Sequence, residues 1–235
     1  MILASAPSVT WYLTRATGIV AMLLLTAALV LGVVDLERVS THGWPRFLID
    51  LMHRNVALLS ICFLLIHILM SVLDSFAPIG VVEAVIPFTG SYRPFWLGLG
   101  AAAFDLMLAI ALTSLVRGRI GYRAWRSVHW LAWLCWPIAL LHGLGTGSDT
   151  KAGWMLLVYL ACLLAVLAAA GVRVYGSWAE SRDSARVALG ATGAFVAFLA
   201  IWTPSGPLGS GWARRSGTPA SLLGHAHREG PSKSR

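Results

Sequence analysis

Charge is scarce in this chain: Asp, Glu, Lys and Arg make up 12% of its 235 residues, about half the share a soluble globular domain carries. Acidic residues are the scarcer kind, ten against eighteen basic ones. With 57% of residues hydrophobic and a mean hydropathy of +0.74, that shortage excludes an ordinary water-soluble domain and predicts an integral membrane protein. The net charge of +8 would suggest nucleic acid in a soluble protein, but here the arginines fall between apolar runs, where they orient membrane helices. Nucleic acid is therefore excluded as a partner. Cysteine is equally sparse, with Cys62, Cys135 and Cys162 each inside an apolar run and none at metal-site or disulfide-framework spacing. All three read as small core residues. The N-terminus lacks a basic stretch before its first apolar run and a small-residue cleavage site after it, so that run is expected to be a retained helix. Internal repeats are absent too.

What the chain does have is long apolar runs. They predict an all-α bundle of about six transmembrane helices, near 15–34, 53–73, 95–116, 125–145, 153–174 and 187–203, each close to the ~20 residues that cross a bilayer. This leaves little length for a soluble catalytic domain. The loop "RGRIGYRAWR" concentrates Arg117, Arg119, Arg123 and Arg126 and is cytoplasmic by the positive-inside rule. Arg38, Arg46, Arg54, Arg173, Arg182 and Arg186 then share that side, against Arg15, Arg93 and Lys151 outside, and both termini are external. Residues 1–203 form the membrane domain, and 204–235, rich in Gly, Ser, Pro and Arg, are expected to be a disordered polar, basic tail.

Four histidines sit inside this apolar background. The second helix carries His53 and His67, fourteen positions apart, and the fourth carries His129 and His142, thirteen apart, in "HWLAWLCWPIALLH". Both helices run in the same direction in the expected topology, so the four residues form two pairs, at two depths roughly 20 Å apart. A lone histidine near a helix end is more often a satisfied core or interfacial residue than a ligand. Two matched pairs reverse those odds. A bis-histidine pair across a bundle is what a six-coordinate haem b requires, and two haems would make an electron path across the bilayer. Zinc fits poorly, because imidazoles divided between two depths cannot complete one tetrahedron. One detail resists: thirteen residues at about 100° each leave His142 roughly 140° from His129 in azimuth, so a kink at Pro137 is expected between them.

At these residues the chain resembles the ferric reductase-like transmembrane domain family, shared by ferric reductases, NADPH oxidases and the haem-binding membrane subunit of methionine sulfoxide reductase systems. The strings "WYLTRATG", "HRN", "VIPFTGSYRP", "GYRAWRSVHWLAW" and "HGLGTG" look like its stand-alone actinobacterial members, and the resemblance covers about residues 11–175. It implies two haems b, with His53 and His129 ligating the cytoplasmic-side iron and His67 and His142 the outer one. It implies a bacterial plasma-membrane protein carrying electrons to an extracytoplasmic acceptor, ferric iron or a redox protein, as an oxidoreductase or the relay subunit of one. Many members continue into a flavin and nicotinamide domain. No Gly-rich dinucleotide fingerprint follows a strand here, so a separate flavoprotein or a quinol is the expected donor.

Haem propionates are anionic, which makes Arg54 and Arg126 candidate partners at the inner level, followed by Arg123 there and by Arg93 and Lys151 at the outer one. Phe63, Trp130, Trp133 and Trp136 are read as packing rather than electron relays. Asp105, near the middle of the third helix, is either a proton carrier, a partner of a ligand histidine or a structural hydrogen-bond acceptor. It anchors the alternative reading, a proton or metal-ion transporter, which predicts polar residues along one pathway. The loop "VVEAVIPFTGSYRP" is expected to lie on the membrane, and "GHAH", with His225 and His227, belongs to the polar tail.

Overall fold

A computed structural model describes residues 8–37, 45–75, 77, 79–178 and 181–223. Arg38, His225 and His227 lie outside the described residues. All regular structure among the described residues is helical: α1 (Val9–Leu36), α2 (Arg46–Leu73), α3 (Val81–Val85), α4 (Pro94–Leu115), α5 (Arg117–Ile120), α6 (Tyr122–His129), α7 (Ala132–Thr146), α8 (Gly153–Ser177), α9 (Arg182–Ser205), α10 (Trp212–Arg215) and α11 (Ala220–Leu223). Six segments are long and apolar enough to span a membrane: α1, α2, α4, α6 with α7, α8 and α9. They match the six expected spans, with limits within about five residues except at the starts of α1 and α2, which begin six and seven residues earlier.

α1 is the central helix. It packs along α2 and against α7 and α8. Met22, Leu29 and Val33 of α1 join Trp136, Leu140 and Leu144 of α7, Cys162 and Val166 of α8, and Leu199 of α9 in the main core. A smaller cluster, Ala103 and Ile110 with Cys135, fixes α4 on α7. On the outward surface Leu58, Leu69, Leu112, Leu157 and Ile201 are exposed, an arrangement that hydrocarbon favours and water would not. Cys135 and Cys162 are buried as expected, while Cys62 is exposed.

One buried polar pair ties α1 to α7. Trp136, 2% exposed, donates its Nε1–H to Thr26 Oγ1 at 2.9 Å, and that hydroxyl donates in turn to the carbonyl of Met22 at 2.8 Å. Thr26→Val keeps the shape and removes the acceptor, leaving a buried N–H without a partner. We expect it to destabilise the fold by about 1–3 kcal/mol, read as a lowered melting temperature in detergent, with Thr26→Ser close to wild type.

The helix is interrupted between the two histidines, on the N-terminal side of Pro137. The ring of Pro137 opposes the carbonyl of Trp133, in the first turn of α7, and the chain yields there and just before it. α6 stops at His129; the N–H groups of Leu131, Trp133 and Leu134 then donate to Val128, Trp130 and Leu131, three residues back rather than four. Each residue in such a tightened turn advances about 20° more than in an α-helix. Over roughly four residues this reduces the azimuthal offset between His129 and His142 from about 140° to about 60°.

Beyond residue 203 the chain is described through Leu223. Arg93 donates its backbone N–H to the carbonyl of Gly217 and its Nε–H to Thr218 Oγ1, and Trp212 Nε1 donates to the carbonyl of Gly145. These bonds fasten the segment to the start of α4 and the C-terminal end of α7.

Candidate functional site: two histidine pairs between α2 and α6–α7

The structure brings the four histidines together in the expected combinations. His53 faces His129 with ring centroids 6.1 Å apart, and His67 faces His142 at 6.3 Å. The planes within each pair are inclined by 72° and 81°. α2 packs along α1 without extended contact to α7, so the two histidine-bearing helices are set apart by a slot. At the His67–His142 level that slot is a cavity lined by Gly18, Leu25, Ser60, Leu64, Gly100 and Ala139. Around these residues its walls are mostly apolar, as a macrocycle requires.

Orientation of the rings comes from backbone. His67 Nδ1–H donates to the carbonyl of Thr14 at 2.7 Å and His53 Nδ1–H to that of Ala28 at 2.9 Å, both on α1. His142 Nδ1–H donates to the carbonyl of Trp96 on α4 at 2.9 Å. A helix carbonyl is normally flanked by the side chain four residues later; here that residue is glycine each time, Gly18, Gly32 and Gly100. A Cβ would stand 2.9 Å from the His67 ring at Gly18, 3.2 Å from His53 at Gly32 and 2.5 Å from His142 at Gly100. The glycines open the space through which each ring reaches its carbonyl. With Nδ1 engaged, Nε2 is the ring nitrogen left for a ligand, and carbonyl bonding of the other nitrogen is how ligating histidines are held.

His129 departs from this pattern. Its Nδ1 is buried and has no hydrogen-bond partner among the described residues, at a cost of about 1–3 kcal/mol for a buried polar group. Its ring instead stacks on Trp125, with centroids 5.0 Å apart and planes inclined by 29°.

A haem fits these residues by a simple measure. A metal–imidazole bond is about 2.0–2.1 Å, and the ring nitrogen lies about 1.1 Å from the centroid, so two imidazoles on opposite sides of one metal have centroids about 6.3 Å apart. The observed separations are 6.1 and 6.3 Å. No group of three or more His, Cys, Asp or Glu side chains converges among the described residues, as a closed zinc site would demand.

The charged candidates divide. Arg54 and Arg126 are exposed, one residue after His53 and three before His129 in the chain. Arg93 and Lys151 are engaged elsewhere: Arg93 Nη1 donates to the carbonyls of Gly145 and Thr146, and Lys151 Nζ to that of Gly209. Both have backbone acceptors because the carbonyls ending α7 and those after α9 need donors. Arg15, which charge counting treats as a topology residue, lines the His67–His142 cavity, is paired with Asp149 and lies 3.8 Å over the Trp11 ring. Its place in "WYLTRATG", between Thr14 and Gly18, was the available signal. Asp105 makes no ion pair or hydrogen bond among the described residues and is not among the cavity's lining residues. The loop after α2 forms α3, with Val81, Val82, Ile86 and Phe88 exposed and Glu83 and Ala84 on the cavity wall.

No curated protein and no solved structure matches the chain. A family model does, over residues 17–140, more than half of the 235. That stretch holds Gly18, Gly32, His53, His67, Gly100 and His129 and ends two residues before His142. The chain thus belongs to the ferric reductase like transmembrane component family, whose members are multi-pass membrane proteins of transmembrane electron transfer that typically bind haem.

Proposed function

We propose that this protein is a di-haem cytochrome b of a bacterial plasma membrane, passing electrons from a cytoplasmic-side flavoprotein or a quinol to an extracytoplasmic acceptor, ferric iron or a redox protein. The observation that carries this reading is the pair of facing imidazoles at each of two levels, at the separation that one metal between them requires. His53 with His129 would hold the inner haem, and His67 with His142 the outer one. When bound, haem supplies one-electron chemistry at iron. The chain supplies the rest. Thr14, Ala28 and Trp96 offer the carbonyls that aim three of the rings, while Leu25 and Leu64 supply apolar wall at the outer level. Arg54 and Arg126 bring positive charge toward propionates at the inner level. The transporter reading has less support, because Asp105 is not in the cavity that holds His67 and His142.

The test is a reduced-minus-oxidised absorption spectrum of the purified full-length chain, produced with ample haem supply, with haem quantified per polypeptide. A b-type spectrum with two haems per chain is expected. A protein without haem would sink the reading, and one haem would remove one of the two pairs from it.

A further inference from the structure

Three of the four rings are aimed by a carbonyl that a glycine uncovers, and the exception lies at a definable place in the same helices. On α4 the carbonyl of Trp96 and Gly100 serve His142. Thirteen to fourteen residues further along α4, at the level of His129, stand Thr113 and Ser114 instead of glycine. Their hydroxyls occupy the carbonyls that a histidine would use: Thr113 Oγ1 donates to Ala109 at 2.7 Å, and Ser114 Oγ to Ile110 at 2.7 Å. The Ser114 oxygen also accepts the Nε1–H of Trp125 at 3.2 Å, and it is Trp125 that stacks on His129. His129 is thus placed by a side-chain clamp, Ser114 to Trp125, in the position where its counterparts have backbone.

We propose that Trp125, anchored by Ser114, is the positioning residue of His129, and that the two histidine levels therefore hold inequivalent haems. The inference rests on the di-haem reading above. A ligand ring that donates its Nδ1–H to a carbonyl is the more basic one and favours ferric iron. The His67–His142 level has two such rings and the His53–His129 level has one. The His53–His129 haem is then the one of higher potential, and the plane of its His129 ligand is set by an indole rather than by a hydrogen bond.

The experiment uses the full-length haem-loaded protein. Electron paramagnetic resonance of the oxidised form reports ring-plane orientation separately for each low-spin haem, and a potentiometric titration resolves two steps. His129→Ala assigns the steps by removing one of them. Trp125→Leu is expected to shift and broaden only the resonance of the His53–His129 haem and to move only the higher-potential step, with the His67–His142 signal as the internal control of folding. Ser114→Ala, a mild change in a helix, is expected to do the same to a smaller extent, and it decides the matter if Trp125→Leu does not accumulate. Trp125→Phe keeps the stack and should restore most of the wild-type resonance. Unchanged signals in both variants, or equal changes at both haems, would overturn the inference while leaving the di-haem reading intact. Fewer than two haems in the wild type would overturn that reading itself.

Discussion

Replacing Gly100 by alanine is expected to reduce the bound haem from two per chain to about one. The added methyl would stand 2.5 Å from Cε1 and Nδ1 of His142, well inside carbon van der Waals contact. The ring cannot keep both its place and its 2.9 Å bond to the carbonyl of Trp96. The helix itself gains from the change, since alanine is favoured over glycine by roughly 0.5–1 kcal/mol in a helix interior. Loss of haem would therefore report the ligand and not a weakened α4. Gly18→Ala, with its methyl 2.9 Å from the His67 ring, should lose the same haem less completely, and Gly32→Ala, at 3.2 Å from His53, should weaken the other haem least of the three. His67→Ala is the benchmark: it removes a ligand outright and should spare most of the His53–His129 haem. The readout is haem per chain by pyridine haemochrome together with the b-type difference spectrum. Two haems retained in Gly100→Ala would refute the role given to this glycine.

The same glycines show what the sequence made legible. Hydropathy marks the solvent of a segment, so six spans could be read from run length, and histidine is rare enough in hydrocarbon for two pairs to stand out. Which atoms orient those histidines left no side-chain signature, because the acceptors are carbonyls of Thr14, Ala28 and Trp96. The only trace was glycine inside long helices, where it is unfavourable and so has a reason to be present. Spacing alone could not give the angle between His129 and His142. Counting residues assumes an ideal helix, whereas the tightened turn at Trp130–Leu134 changes the angle per residue and falls ahead of the proline that provokes it. Arg93 and Lys151 likewise stood as both topology charges and outer-level candidates, because sequence cannot tell a charge that faces a cofactor from one that satisfies the end of a helix.

Arg93→Ala is expected to release the segment that follows α9 and to destabilise the protein by about 2–5 kcal/mol. Arg93 is 8% exposed, and its side chain donates to the carbonyls of Gly145 and Thr146 and to Thr218 Oγ1. Those two carbonyls belong to the last turn of α7, where no intrahelical donor remains. Alanine removes all three side-chain bonds at once. Lysine should rescue little, because an ammonium lacks the guanidinium's planar fork of donors and cannot span the same acceptors. Backbone strain gives a further check. Arg93 has φ 42 and ψ 58 just ahead of Pro94, a left-handed conformation that disfavours any residue with a Cβ. Arg93→Gly loses the same bonds but relieves that strain, so it should melt above Arg93→Ala, by an amount worth about 1 kcal/mol. Trypsin supplies the local readout: Arg214 and Arg215 lie in α10, two and three residues after Trp212, whose Nε1 donates to the same Gly145 carbonyl. Cleavage there should be faster in Arg93→Ala than in wild type, and faster than at Arg117 or Arg119, which lie at the opposite end of α4 from Arg93 and serve as the internal reference. Equal cleavage at both ends would mean global loosening, and would remove Arg93 from its place as the tie between α7 and the chain beyond α9.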